Sequence, residues 1–196
     1  MRSSSDGVAV PSPKLGVEAA LWEQVLGGDG DAFGRLFDLH RDRVFRHAWG
    51  LAGNRQDAED VIAGAFLELW RLRERVRLVD GSVLPWLLAT TTNIGLNAAR
   101  SRRRYRQFLE RLPRVQECDA TDVTPDLGVV PALRDALRTL PTKDAQLLAL
   151  VALEGVQVNQ AALCLDLTTE AARARLHRGG GGGCSNNFGR SQPSGC

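Results

Sequence analysis

The sequence predicts an all-α protein: two small helical domains joined by an acidic flexible linker, the second a helix-turn-helix. Three observations carry this. From Glu18 to about Arg111, apolar residues recur three and four apart, with almost no strand alternation. Residues 115–131, "VQECDATDVTPDLGVVP", hold four acids, two prolines and no base, which suits an interdomain connection. Beyond them, two short helical patterns meet near Asp166 with a tight turn between them. The expected divisions are a disordered stretch 1–17, a helical domain 18–112, a linker 113–131, a helix-turn-helix 132–178 and a disordered tail 179–196.

The opening residues are rich in Ser, Pro and Gly, which argues against packing. In "DAFGRLFDLHRDRVFRHAWGLAG", Phe33, Leu36, Phe37, Val44, Ala48 and Leu51 fall near one helical face. Asp31 is the expected N-cap and Gly53 the expected stop. In the next helix Asn54 or Asp57 is the cap, and Asp57, Glu59 and Asp60 suit the positive end of its dipole. Ala58, Val61, Ile62, Ala65 and Leu69 form its buried stripe, with Phe66 and Trp70 on a neighbouring strip. "LVDGSV" breaks the pattern. It restarts at "LPWLL", where Pro85 is tolerated in a first turn, and Leu87, Thr91, Ile94 and Ala98 make the apolar side. After the linker, Leu133, Leu137 and Leu140 lead into an apolar helix stopped by Gly155. Thr168 or Thr169 caps the last helix, and five glycines from Gly179 predict its end at Arg178.

The chain has 196 residues and a net charge of +2, too small to argue for a partner. The distribution says more. Seven arginines and one acid lie between Arg100 and Arg114. Five of them, Arg100, Arg102, Arg103, Arg104 and Arg106, stand in seven residues with Tyr105 among them. A solvated face is the plain alternative, but uncompensated arginines repel one another, so an anionic partner such as nucleic acid explains them better. Asn93 and Asn97, a turn apart, can bond base edges or satisfy local backbone. Phe66, Trp70, Trp86 and Tyr105 can pack the core, or one can stack on an unpaired base. The last helix offers Thr168, Thr169, Glu170, Arg173, Arg175, His177 and Arg178 to a DNA groove.

Catalysis has little support. His40, His47 and His177 show no Cys or Asp partner by spacing, and "GGGGG" lacks the lysine of a phosphate loop. Cys118, Cys164, Cys184 and Cys196 form no CxxC pair, which points to free thiols in a reducing compartment, no metal and no cofactor. No apolar run has signal-peptide or bilayer-spanning character, so a cytoplasmic protein without membrane insertion is expected.

The order of parts resembles a known family. "GDGDAFGRLFDLHRDRVFRHAWGLAGNRQDAEDVIAGAFLELW" followed by "LPWLLATTTNIGLNAARSRRRYR" resembles the first domain of extracytoplasmic-function sigma factors. "LPTKDAQLLALVALEGVQVNQAALCLDLTTEAARARLHR" is similar to their second. The resemblance runs from about Ala19 to Arg178 and implies a non-enzymatic protein that binds core RNA polymerase and promoter DNA, with an anti-sigma factor as a candidate further partner.

It implies that Asp57, Glu59, Asp60, Phe66 and Trp70 meet the coiled coil of the polymerase's largest subunit. Trp86, Asn93, Asn97, Arg100, Arg103 and Arg104 would hold −10 DNA, and the loop between Arg75 and Leu84 would cradle an extruded base. Thr168, Thr169, Arg173, Arg175, His177 and Arg178 would read −35 DNA, and the acidic linker would run through positively lined channels.

The sequence departs from the family pattern in three places. Ala63 and Gly64 replace a Gln-Glu pair, Asp166 replaces a turn glycine, and Gly179–Gly183 replace a basic helix end. A flexible tail or a reading-frame change would account for the glycines. The rival readings are a helix-turn-helix regulator that works without polymerase, and a truncated family member that reads no −35 element.

Overall fold

The structure, a computed structural model, describes residues 13–109 and 131–181. Among the described residues, eight α-helices succeed one another: α1 Pro13–Leu26, α2 Gly30–Ala52, α3 Arg55–Leu72, α4 Leu84–Leu109, α5 Pro131–Thr139, α6 Thr142–Leu148, α7 Val158–Cys164 and α8 Thr169–Gly181. A 3-10 turn, Arg73–Arg75, follows α3, and a wider-wound segment, Ala149–Leu153, extends α6. Among the described residues there is no β-strand, so the expected all-α class holds. The expected linker lies largely outside the described residues.

Local chemistry sets the boundaries. Asp29, not Asp31, caps α2. Its carboxylate accepts from the N–H groups of Asp31 and Ala32 at 2.8 and 3.0 Å. Either aspartate satisfies the sequence rule, but only the one before the first helical residue reaches those donors. Gly53 closes α2 at φ 84°, donating to Trp49 O. A side chain there would be strained and would also meet Arg134 Nη1, 2.6 Å from an added Cβ. Asn54 caps α3 by accepting from Asp57 N at 2.9 Å. Helix α1 begins at Pro13, inside the stretch expected to be disordered, because Pro suits a first turn and Trp22 and Val25 bury against α2. Helix α8 runs to Gly181, three residues past the expected stop. Each glycine costs a helix about 1 kcal/mol, but propagation adds a hydrogen bond per residue, so an end can extend a turn.

The main core joins α1, α2 and α3 to the first turn of α4, with Leu36, Val44, Leu69 and Leu87 fully buried. Each such side chain contributes about 1.5–3 kcal/mol by leaving water. The expected α3 stripe of Ala58, Val61, Ile62, Ala65 and Leu69 is buried throughout. Phe66 is buried with it. Phe33 and Phe37 meet its ring edge-on, at 6.3 and 4.7 Å between centroids.

Helix α4 is buried on a second side as well. Leu88 and Ala89 join Leu147, Leu150, Ala161 and Leu165 in a second core. Leu51 and Leu96 join Leu137 and Ala145 in a third. The C-terminal helices therefore pack directly on α4 and the end of α2. Gln146 Nε2 donates to Ala89 O at 3.0 Å, and Arg138 Nη2 to Leu51 O at 3.4 Å.

Candidate nucleic-acid interface

Helix α4 changes character along its length. Its first half is wedged between two cores, while its last turns stand free of both. Arg103, Arg104 and Tyr105 are exposed, and Tyr105 and Phe108 are 63% and 60% accessible. Cations interleaved with aromatic rings can clamp a phosphate backbone and stack unpaired bases. The neighbouring arginines are engaged elsewhere. Arg102 pairs with Asp57 on α3. Arg100 donates to Leu140 O at 2.9 Å, holding the α5–α6 turn against α4.

Asn97 Nδ2 donates to Asn93 Oδ1 at 3.1 Å, and Arg100 Nη1 to Asn97 Oδ1 at 3.3 Å. Asn93, Asn97 and Arg100 thus form one ladder along α4, with Asn97 the exposed rung. Trp86 is half-buried against the main core.

The loop before α4 is a tight hairpin. Val79 and Ser82 exchange two backbone hydrogen bonds, at 3.0 and 3.1 Å. Asp80 and Gly81 between them have φ 52° and 75°. Two successive positive φ values make a type I′ turn, for which Asp-Gly is a favoured pair. The exposed Asp80 accepts from Gln160 of α7.

At the start of α3, Asp57 accepts from Asn54, Glu59 accepts from Arg55 at 2.7 Å, and Asp60 is exposed. Phe66 faces the core, while Trp70 is half-buried with Arg73 over its ring at 4.7 Å. Gly64 does not leave a gap in an outer face. It lies against Ile94 of α4, 3.4 Å from an added Cβ.

On α8, Thr168 Oγ1 accepts from Ala171 N at 3.1 Å and is the cap. Arg173, His177 and Arg178 are exposed, and Thr169 is half-buried. Arg175 is pinned to Asp144 of α6 at 2.6 Å. The turn residue Asp166 takes φ 52°, the left-handed conformation a glycine would otherwise supply. Beside it, burial and then the Asp166 charge push the Cys164 thiol up to about 12, so this cysteine stays protonated.

Sequence reading missed two polar clusters. Glu18 Oε1 lies 2.9 Å from His40 Nε2 and accepts from Val83 N at 2.7 Å and Ser82 Oγ at 2.9 Å. Glu154 Oε1 lies 2.8 Å from His47 Nδ1, and Arg43 Nε donates to its other oxygen at 3.1 Å. His47 Nε2 lies 2.8 Å from Thr92 Oγ1. Burial pushes both carboxyls up. Histidine contacts and the remaining donors outweigh it and hold both below the usual carboxylate range. The pairs join residues 22 and 107 positions apart, so no local spacing reveals them.

Among the described residues, no group of three His, Cys, Asp or Glu could hold a metal, and no helix is long and apolar enough to cross a membrane.

Known proteins are similar to this chain in sequence and in fold. Residues 36–105 match the family model of sigma-70 region 2. The chain is 32% identical over 150 residues to the ECF RNA polymerase sigma factor SigE of Mycolicibacterium smegmatis. That match covers 74% of this chain, which spans only 57% of SigE. It is 28% identical over 158 residues to the RNA polymerase sigma factor CarQ of Myxococcus xanthus, covering 80% of this chain and 90% of CarQ. The fold is that of CnrH, solved in complex with the cytosolic domain of CnrY, at a TM-score of 0.55 and 22% identity over 84% of this chain and 93% of that one. In the region-2 segment, in these relatives and in its all-α fold, the chain is similar to extracytoplasmic-function sigma factors.

Proposed function

We propose that the chain binds core RNA polymerase and directs it to promoters by recognising and melting −10 DNA and reading −35 DNA. The observation that carries this is the free end of α4. The region-2 match reaches into it as far as Tyr105, and it presents Arg103, Arg104 and Tyr105 to solvent next to the Asn93–Asn97 ladder. Phosphates would sit on the arginines, and Asn97 would meet a base edge. Trp86 and the Val79–Ser82 hairpin would face the melted strand. Arg100 would join them once it released Leu140 O.

In this reading residues 18–112 bind polymerase and the −10 element, 113–131 link, and 132–178 read the −35 element. Asp57, Glu59, Asp60 and Trp70 would form the polymerase-facing surface, with Phe66 supporting it from beneath. Thr168, Thr169, Arg173, His177 and Arg178 would meet −35 DNA, and Arg175 would hold α8 at its angle through Asp144. The role needs no catalytic group, and its partners place it in the cytoplasm.

Pull-down with core polymerase at moderate salt, followed by transcription in vitro from a genomic promoter library, tests the reading. Retention on the polymerase and a shared pair of promoter elements are expected. Absence of binding would overturn it in favour of a regulator that works without polymerase.

A further inference from the structure

The hairpin before α4 is too small to fix its own position. Its two backbone bonds, between Val79 and Ser82, close a turn but do not tie it to a helix. A carboxylate from a distant helix does that. Glu18 of α1, 4% accessible, reaches beneath the hairpin. One of its oxygens, Oε1, takes the Val83 N–H at 2.7 Å, the Ser82 hydroxyl at 2.9 Å and His40 Nε2 at 2.9 Å. Ser82 Oγ in turn accepts from Leu84 N, at 3.1 Å, at the start of α4. One buried atom therefore fixes the last two residues before α4, and His40 of α2 braces it from the other side.

Chemistry makes this anchor sensitive. An oxygen that collects three donors is an ionised carboxylate oxygen. A neutral amide in its place offers a weaker acceptor, and half of its head group is itself a donor. The geometry of a site that selects a base must hold within about 0.5 Å, and that precision comes from the residues behind the contact surface.

We propose that Glu18 is a positioning residue for base selection, setting the height and tilt of the Val79–Val83 hairpin against α4 so that it admits one unpaired base. This rests on the reading of the hairpin as the element that holds an extruded −10 base. Glu18 touches no DNA and acts through Ser82 and Val83. A residue serving only stability would, when weakened, reduce all promoter contacts together. A positioning residue reduces discrimination at one position.

The test uses the full chain bound to core polymerase and a single-stranded DNA library randomised over six positions, with base preference read by sequencing the bound fraction. Glu18→Ala strands three donors and is the variant at risk of unfolding, so Glu18→Gln and Ser82→Ala carry the test, each checked by its thermal melting curve. Ser82→Ala removes one loop donor and leaves Glu18 and His40 paired. Both variants are expected to lose about tenfold of the base preference at one position, the value of one good base contact, and to keep wild-type preferences at the others. An unchanged profile in folded variants overturns the proposal, and so does a uniform loss across all positions. A wild-type holoenzyme that selects no motif overturns the promoter-reading function itself, and this proposal with it.

Discussion

Glu18–His40 and Glu154–His47 each set a carboxylate oxygen beside a ring nitrogen, at 2.9 and 2.8 Å. The first ties α1 to α2 and to the loop before α4, all within one core. The second ties α2 to the end of the α6 extension, across the contact between the two helical groups, and Thr92 of α4 completes it. Their surroundings differ accordingly. The Glu18 side chain is 6% accessible, whereas Glu154 is 13% accessible and shares its charge with Arg43, itself 45% accessible. The same pair of residue types thus serves as an internal anchor in one place and as a clasp in the other. The clasp has water at its edge, so it should open first.

Glu18→Ala should show the largest effect in denaturant unfolding. Removing one partner of a buried pair costs about 3–5 kcal/mol, because the remaining donors lose their acceptor in a dry site. A loss below about 1 kcal/mol would mean that water enters and replaces the carboxylate. Glu154→Ala should cost less, about 1–3 kcal/mol, and the loss should be local. Amide hydrogen exchange should quicken in α6–α8 and stay slow in α1–α3. Equal acceleration in both groups would show that the clasp is no separate unit.

Acid should act on both pairs with the same sign. A carboxyl whose folded pKa lies below its ordinary value of 4.5 stabilises the fold fully above that value. The contribution disappears as pH falls through the lower, folded pKa. Stability should therefore decline as pH falls below the ordinary value of 4.5 and through the lower, folded pKa, and Glu18→Gln should flatten part of that decline. Exchange measured over the same range should show α6–α8 loosening before the anchor does. The reverse order would break the distinction between anchor and clasp.

What the sequence revealed follows the same division. The α3 stripe was legible because five apolar residues repeat at helical spacing, and the arginine end of α4 because like charges accumulate without acids. The second buried side of α4 was not, although a signal existed. Residues 84–99 contain no charged side chain, so most of that stretch has no group that demands water and can be covered on more than one side. Periodicity picked Leu87, Thr91, Ile94 and Ala98, and it had no means of giving Leu88, Ala89 and Leu96 a partner more than forty residues away. The engagement of Arg100 with Leu140 O and of Arg175 with Asp144 was hidden for the same reason. Only the folded chain separates the arginines that hold helices together from those left facing solvent.

The smallest effect on stability should come from those solvent-facing arginines, and it is the most informative about function. Arg103 and Arg104 are exposed at the end of α4, so replacing both with Ala should change unfolding free energy by less than about 0.5 kcal/mol each. Promoter affinity should nevertheless fall across sequences, because phosphate contacts carry little sequence information. The slope of log affinity against log salt should become shallower by about 0.9 per lost contact on duplex, or about 0.7 on single strands. The anchor variant Glu18→Gln should do the opposite, altering preference at one base and leaving the slope as it was. If the Arg103/Arg104 variant keeps its salt slope, these side chains are a solvated face, and the proposed −10 contact loses its phosphate clamp.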